Sequence, residues 1–212
     1  MINQPTKFPR IPHLPWSNIS DSEDISQSGN IKRIYTEPVV VTEKMDGENI
    51  TMYSDYIHAR SLEKLSGVDY GRTLSFHNSI RNNIPEYVRL CFEDVTWAHS
   101  IRYTNLESYL YLIGVFMEDI VCSWARVCRF AEKFGVPTPK VLYSGIISEK
   151  NLRALDINSE TTEGYVVRVS SEFHISNWVE CVAKYVRPSH VSTDKHWKYS
   201  KKEPNTCQSV KS

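Results

Sequence analysis

Three short stretches place charged side chains at or within strands that otherwise read as apolar: Lys44-Met45-Asp46-Gly47, Glu163-Gly164-Tyr165-Val166-Val167-Arg168 and Ala183-Lys184-Tyr185-Val186-Arg187. In the first, a valine run ends in a lysine with Glu43, Asp46 and Glu48 close by. Such a lysine is either a snorkelling cation in a mixed-charge surface turn or an amine kept in place as a nucleophile. A nucleophilic amine must shed its proton, so its pKa has to fall through burial or neighbouring cations. A lone K-x-D-G is weak evidence, since chance yields it in roughly a few per cent of chains this long. Three such stretches in this order are a much stronger signal.

Strands must hold these groups. Residues 38–45 are valine-rich and read as a buried strand. "NITMY" and "YIHAR" flank Ser54-Asp55 as a β-hairpin. Thr73 to Ile84 reads as a helix ended by Pro85, and "YVRLCFEDV" and "SYLYLIGVF" as two further strands. From Ser123, apolar residues at Trp124, Val127, Cys128, Ala131 and Phe134 form one helical face, with Ser123 the expected N-cap and Gly135 the expected stop. "KVLYSG" is a short strand, "SEKNLRAL" a short helix capped by Ser148, and "EGYVVRV" and "VECVAKYV" are alternating strands. Strands with a few inserted helices predict an α+β fold with antiparallel sheets.

Residues 1–30 read as an extended, proline-punctuated lead-in followed by a polar, acidic loop; residues 1–197 read as one domain, and the lysine-rich stretch 198–212 as a disordered tail. With 212 residues the chain suits one medium domain with its own core. The 25 basic and 25 acidic residues balance, which argues against indiscriminate coating of nucleic acid but leaves room for a local basic groove. Five cysteines without C-x-x-C spacing predict neither a disulfide framework nor a zinc ribbon. No apolar run reaches membrane-spanning length and no signal-peptide core opens the chain, so the expected setting is cytoplasmic. A phosphate loop of the G-x-x-x-x-G-K type is absent, so any nucleotide must be handled by another route.

The stretches "TEKMDGEN", "HARSL", "HSIRY", "EGYVVR" and "AKYVRPSHVSTDKHW" resemble the motifs of the covalent-lysine nucleotidyltransferases: ATP-dependent DNA ligases, RNA ligases and mRNA capping enzymes. More narrowly, from about Phe8 to Trp197 the chain resembles the RNA ligase family of the second phage type. The resemblance implies a ligase-type nucleotidyltransferase domain, antiparallel sheets and flanking helices around a nucleotide cleft. It implies that Lys44 takes AMP from ATP, that AMP passes to an RNA 5′-phosphate, and that a 3′-hydroxyl then seals the strand. It implies a need for Mg2+ or Mn2+. Glu43 resembles the residue that reads the adenine amino group, and Arg60 the arginine that contacts nucleotide and RNA 5′-phosphate. Glu93 resembles the acid that holds the ribose hydroxyls, Glu163 the acid that organises the catalytic metal, and Lys184 the lysine on the α-phosphate. Asp46, Gly47 and Asn49 would shape the loop after the nucleophile. Because the acids beside Lys44 would hold its proton, metal and other cations, Lys184 first among them, are expected to tip the balance.

Three positions depart from the family pattern. Phe92 precedes Glu93 where relatives usually carry glycine. Ile113 stands where an aromatic residue normally sandwiches the purine, with Phe116 three residues later. Lys184 is the one clear lysine of the last motif, with Arg187 as a second cation. About two dozen residues follow Arg187, too few for an OB-fold or a helical module; this disfavours a DNA ligase or capping enzyme and leaves a separate protein to supply a second module. The alternatives are another covalent nucleotidyltransferase, sealing DNA or capping RNA, and a non-catalytic relative that binds nucleotide or RNA.

Overall fold

The apolar runs pair into two antiparallel sheets that share a core. The computed structural model describes residues 4–18, 31–157, 161–188 and 203–208. In chain order the elements are α1 (Lys32–Thr36), β1 (Val39–Glu43), β2 (Glu48–Met52), β3 (Ile57–Ala59), α2 (Gly71–Ile80), β4 (Val88–Asp94), β5 (Leu110–Met117), β6 (Ile120–Val121), α3 (Trp124–Phe134), β7 (Val141–Gly145), α4 (Glu149–Arg153), β8 (Gly164–Val169), β9 (Phe173–His174), α5 (Trp178–Cys181) and β10 (Val182–Val186). One sheet runs β10-β8-β1-β7 and the other β3-β2-β4-β5-β6-β9.

Strand alternation assigns each side chain to a layer. On the first sheet Val39, Val41, Tyr165, Val167 and Ala183 pack outward against Ile34 of α1 and Leu152 of α4. On the second sheet Ile50, Leu90, Phe92 and Leu112 pack outward against Ile80 of α2 and Val127 and Ala131 of α3. The inner faces meet through Cys91 and Phe116 from one sheet and Val166 and Val182 from the other, with Trp178 of α5 completing that cluster. The four layers are therefore helices, sheet, sheet, helices, as expected for the α+β class.

Local signals hold where chemistry is explicit. The Ser123 hydroxyl accepts from the Arg126 amide, and Gly135 closes α3 in the left-handed region at φ 65°. Ser148 caps α4 through the Asn151 amide. Two readings need correction. Val179–Cys181, expected within a strand, are helical because Trp178 is drawn into the inter-sheet core and β10 begins only at Val182. Residues 203–208, expected to fray, pack against the loop that follows β4, with Asn205 almost wholly buried. The readings at 19–30, at His196-Trp197 and at the remaining tail lysines lie outside the described residues.

Candidate active site

β1 delivers Lys44 at its C-terminal end, and the Lys44 amide donates to the Gly164 carbonyl at 3.0 Å, extending the β1–β8 ladder by one step. Glu163 immediately precedes β8, so this pairing sets its carboxylate beside the Lys44 ammonium as an ion pair. Gly164 allows it: a Cβ there would stand 1.9 Å from the Tyr185 carbonyl oxygen of β10. The Glu163 turn is further fixed by Arg187, whose Nε donates to the Thr162 carbonyl at 3.0 Å and whose amide donates to the Glu163 carbonyl at 3.1 Å. Expected as a second phosphate cation, Arg187 spends its Nε on backbone.

Burial works to lower the pKa of Lys44, but the charges of Glu163, Glu93 and Asp46 outweigh it, and the net displacement is upward. The acids thus hold the proton, as expected. Lys184 is not among the leading influences. It lies opposite Val166, which in turn lies opposite Thr42, so it stands two strands across from β1, roughly 10 Å sideways at about 4.8 Å per strand. Its backbone is held by the N-terminal segment, its amide donating to Pro12 at 2.9 Å and its carbonyl accepting from Leu14 at 2.8 Å.

Across the gap, Glu93 comes from β4. Burial, then the negative charges of Glu163 and Asp46, push its carboxyl up to about 8 against the pull of Lys44. Phe92 explains itself by the same alternation: it points to the helix side, edge-on to Phe76 at 5.8 Å, and leaves the inner face to Glu93. Asn49 lies opposite Glu93 in β2. Its Nδ2 donates to the Phe92 carbonyl at 3.4 Å, while its buried Oδ1 has no partner among the described residues. Ile113 is the extra residue of a β-bulge: Phe92 pairs with Leu112 and Cys91 with Gly114, leaving Ile113 outside the ladder and half-buried against the inter-sheet core. Phe116 cannot serve in its place, because its ring is buried between Trp178, Phe8 and the Arg89 guanidinium.

Glu43 accepts from the Thr162 hydroxyl at 3.2 Å, and burial raises its pKa. Asp46 is turned to the following loop: its Oδ2 accepts from the Ser100 amide at 2.9 Å, the Ser100 hydroxyl at 2.7 Å and the Ile101 amide at 2.8 Å. Gly47 passes close under β4, where a Cβ would meet the Asp94 carbonyl at 2.3 Å. Arg60 is exposed, one residue past the Ile50–Ala59 pair at the rim of the second sheet. Structure thus joins Lys44, Glu163 and Glu93, places Asp46, Gly47 and Asn49 around them, and sets Arg60, Lys184 and Ile113 at the margins. Sequence reading missed Tyr103, whose hydroxyl accepts from the Asp46 amide at 3.0 Å, although it ends the "HSIRY" stretch.

The donor set can be tested against the groups the resemblance implies. Among the described residues no cluster of three or more acidic, histidine or cysteine side chains is arranged to hold a metal; the Glu163 carboxylate beside Lys44 is the hard oxygen donor at this point, and a divalent cation there would draw its other ligands from phosphates and water. The buried Asn49 Oδ1, an acceptor without a donor, suits a hydroxyl-bearing ligand beside Glu93. Both groups fit.

The layered sheets define a ligase-type nucleotidyltransferase fold. Solved structures share it: an archaeal ATP-dependent RNA ligase at TM-score 0.55 and 16% identity, covering 85% of this chain and 48% of that one; a Naegleria gruberi RNA ligase variant with ATP and Mn at TM-score 0.53 and 14% identity, covering 78% and 54%; and a protein assigned as an ATP-dependent DNA ligase of Aquifex aeolicus at TM-score 0.52 and 20% identity, covering 74% and 45%. The chain spans about half the length of these proteins. No curated protein matches it. The chain belongs to the RNA ligase family, whose model matches residues 37–186.

Proposed function

We propose that this chain is an ATP-dependent RNA ligase that works through a covalent lysyl-AMP, with RNA bearing 5′-phosphate and 3′-hydroxyl ends as substrate. The observation that carries the reading is the pairing of Lys44 with Glu163 beneath Glu93, within a chain of the RNA ligase family. Neutral Lys44 Nζ attacks the α-phosphorus of ATP; the P–N bond forms, the bond from the α-phosphorus to the bridging oxygen breaks, and pyrophosphate leaves. An oxygen of the RNA 5′-phosphate next takes the adenylyl group from Lys44, which regains its lone pair. The RNA 3′-hydroxyl then attacks the phosphorus of the RNA 5′-phosphate; the phosphodiester bond forms, the bond from that phosphorus to the oxygen bridging to the adenylyl group breaks, and AMP departs.

Glu163 would hold a divalent cation, Mg2+ or Mn2+, which offsets phosphate charge. With Glu163 so engaged, Lys44 loses the acid that most raises its pKa, and burial then favours the neutral amine. Lys184 would hold the α-phosphate, Glu93 with Asn49 the ribose hydroxyls, Glu43 the adenine amino group, and Ile113 an aliphatic wall for the purine. Arg60, exposed at the rim, would meet the RNA 5′-phosphate. Asp46 and Gly47 set the loop behind Lys44. Kinship to the second phage type of RNA ligase and a cytoplasmic setting belong to this reading. No helix among the described residues is long and apolar enough to cross a membrane, and the five cysteines are free thiols.

The test is incubation with ATP labelled at the α-phosphate and Mg2+ or Mn2+, followed by denaturing electrophoresis, on protein first stripped with pyrophosphate. Label on the native chain and none on Lys44→Ala supports the reading. No label on the native chain refutes it. Nicked RNA and nicked DNA duplexes, offered next, separate RNA sealing from DNA sealing.

A further inference from the structure

We infer that the C-terminal segment Glu203 to Gln208 is a brace for the nucleophile loop and that Asn205 is a positioning residue for adenylation of Lys44; this rests on the function proposed above. Asn205 is 1% exposed, deep for a carboxamide that far along the chain. Its Nδ2 donates to the Val95 carbonyl at 2.8 Å and its Oδ1 accepts from the Tyr103 amide at 2.8 Å. Its own amide donates to Thr96 at 3.0 Å. On either side, Ala98 donates to Glu203 at 2.8 Å, Leu106 to Thr206 at 3.0 Å, Thr206 to Tyr103 at 3.0 Å and Gln208 to Leu106 at 2.8 Å. The segment thus stitches the start and the end of the 95–106 loop together, with the carboxamide as the central tie.

That loop is what holds the nucleophile's own turn. Tyr103 receives the Asp46 amide on its hydroxyl, and Ser100 and Ile101 hold the Asp46 carboxylate. Val95 supplies one of the atoms that leave no room for a side chain at Gly47. Met45, Val95, Leu106, Tyr111 and, at its edge, Cys207 share one apolar cluster. A chain of direct contacts therefore runs from Asn205 through Tyr103 to Asp46, two residues from Lys44. An amine must meet phosphorus in line, and misplacement by about 1 Å can slow a reaction on the order of 10²-fold.

The experiment compares the full-length native chain with Asn205→Ala, Tyr103→Phe and the double variant, at a temperature where thermal melts show all of them folded. Hydrogen exchange of the peptide spanning residues 44–48 reads the brace without activity; single-turnover labelling from α-labelled ATP reads its effect on Lys44. Asn205→Ala is expected to speed exchange there and to slow labelling about tenfold or more at saturating ATP, with KM for ATP within about threefold, because the ATP contacts are elsewhere. The double variant should be no slower than the slower single one, the mark of one coupled path. Unchanged exchange at residues 44–48 overturns the brace. Faster exchange with an unchanged labelling rate overturns the positioning role. Multiplying effects in the double variant overturn the Tyr103 route. Failure of the native chain to label overturns the function itself, and the exchange result then still decides the brace.

Discussion

At the residue scale the site is a balance of protons. Glu93 carries a folded-state pKa of about 8 against an ordinary value of 4.5. A raised pKa means that the folded chain binds the proton more tightly, so this group's contribution to stability is complete below pH 4.5 and is lost as pH climbs through about 8. Glu93→Gln cannot lose it. The melting temperature of the variant relative to the native chain should therefore rise from pH 5 to pH 9, read by calorimetry; a flat difference would remove the buried-carboxyl account. Lys44 is displaced upward with Glu163 the leading acid. Glu163→Gln should make Lys44 react with a small acylating reagent at lower pH, yet slow labelling from ATP on the order of 10²-fold or more, since the variant forfeits the group that would hold the cation. The two readouts move in opposite directions, which distinguishes loss of the site from loss of the fold. Lys44 and Glu163 stand out in the sequence because each interrupts an apolar strand, whereas Glu93 is singled out through the family resemblance alone. Asp46 was expected to shape the loop after the nucleophile, but nothing in K-x-D-G reveals that its carboxylate turns towards Ser100 and Ile101.

At the scale of elements, two close backbone approaches control the geometry. Gly164 lets β8 lie against β10, and an added Cβ would strike backbone rather than a movable side chain. Gly164→Ala should cost about 3 kcal/mol or more, read by urea unfolding, because the strands carrying Glu163 and Lys184 must part. Gly135→Ala is the control: its site is open, and only the left-handed φ of 65° resists, which predicts about 1 kcal/mol. Elements with caps were readable in advance. α3 carried Ser123, Gly135 and an apolar face, and the hairpin of β2 and β3 carried its turn residues. α1 and α5 were not, because both are short, and no side-chain cap is seen on either. β6 and β9 are two residues long and exist only by pairing with each other and with β5, which no local pattern records.

At the scale of the whole molecule, stability should follow the layers. β4 and β5 lie in the middle of the second sheet, buried from both faces, whereas β7 is an edge strand with half-exposed and exposed side chains. Amide exchange should be slowest through Leu90 to Phe92 and fastest, among strands longer than two residues, in β7; equal protection would mean that the two sheets open together. The antiparallel α+β class was legible from alternation. The face-to-face meeting of the sheets was not, since it depends on which side of each strand finds Trp178. The bulge at Ile113 brings a last consequence. Leu112 and Gly114 already have consecutive partners on β4, so excising the single codon for residue 113 would leave a regular ladder with every other pairing in frame. In the proposed function, sheet and base wall are therefore written separately in the gene, and a lineage could lose, gain or exchange the surface proposed to meet the purine without renegotiating the architecture beneath it.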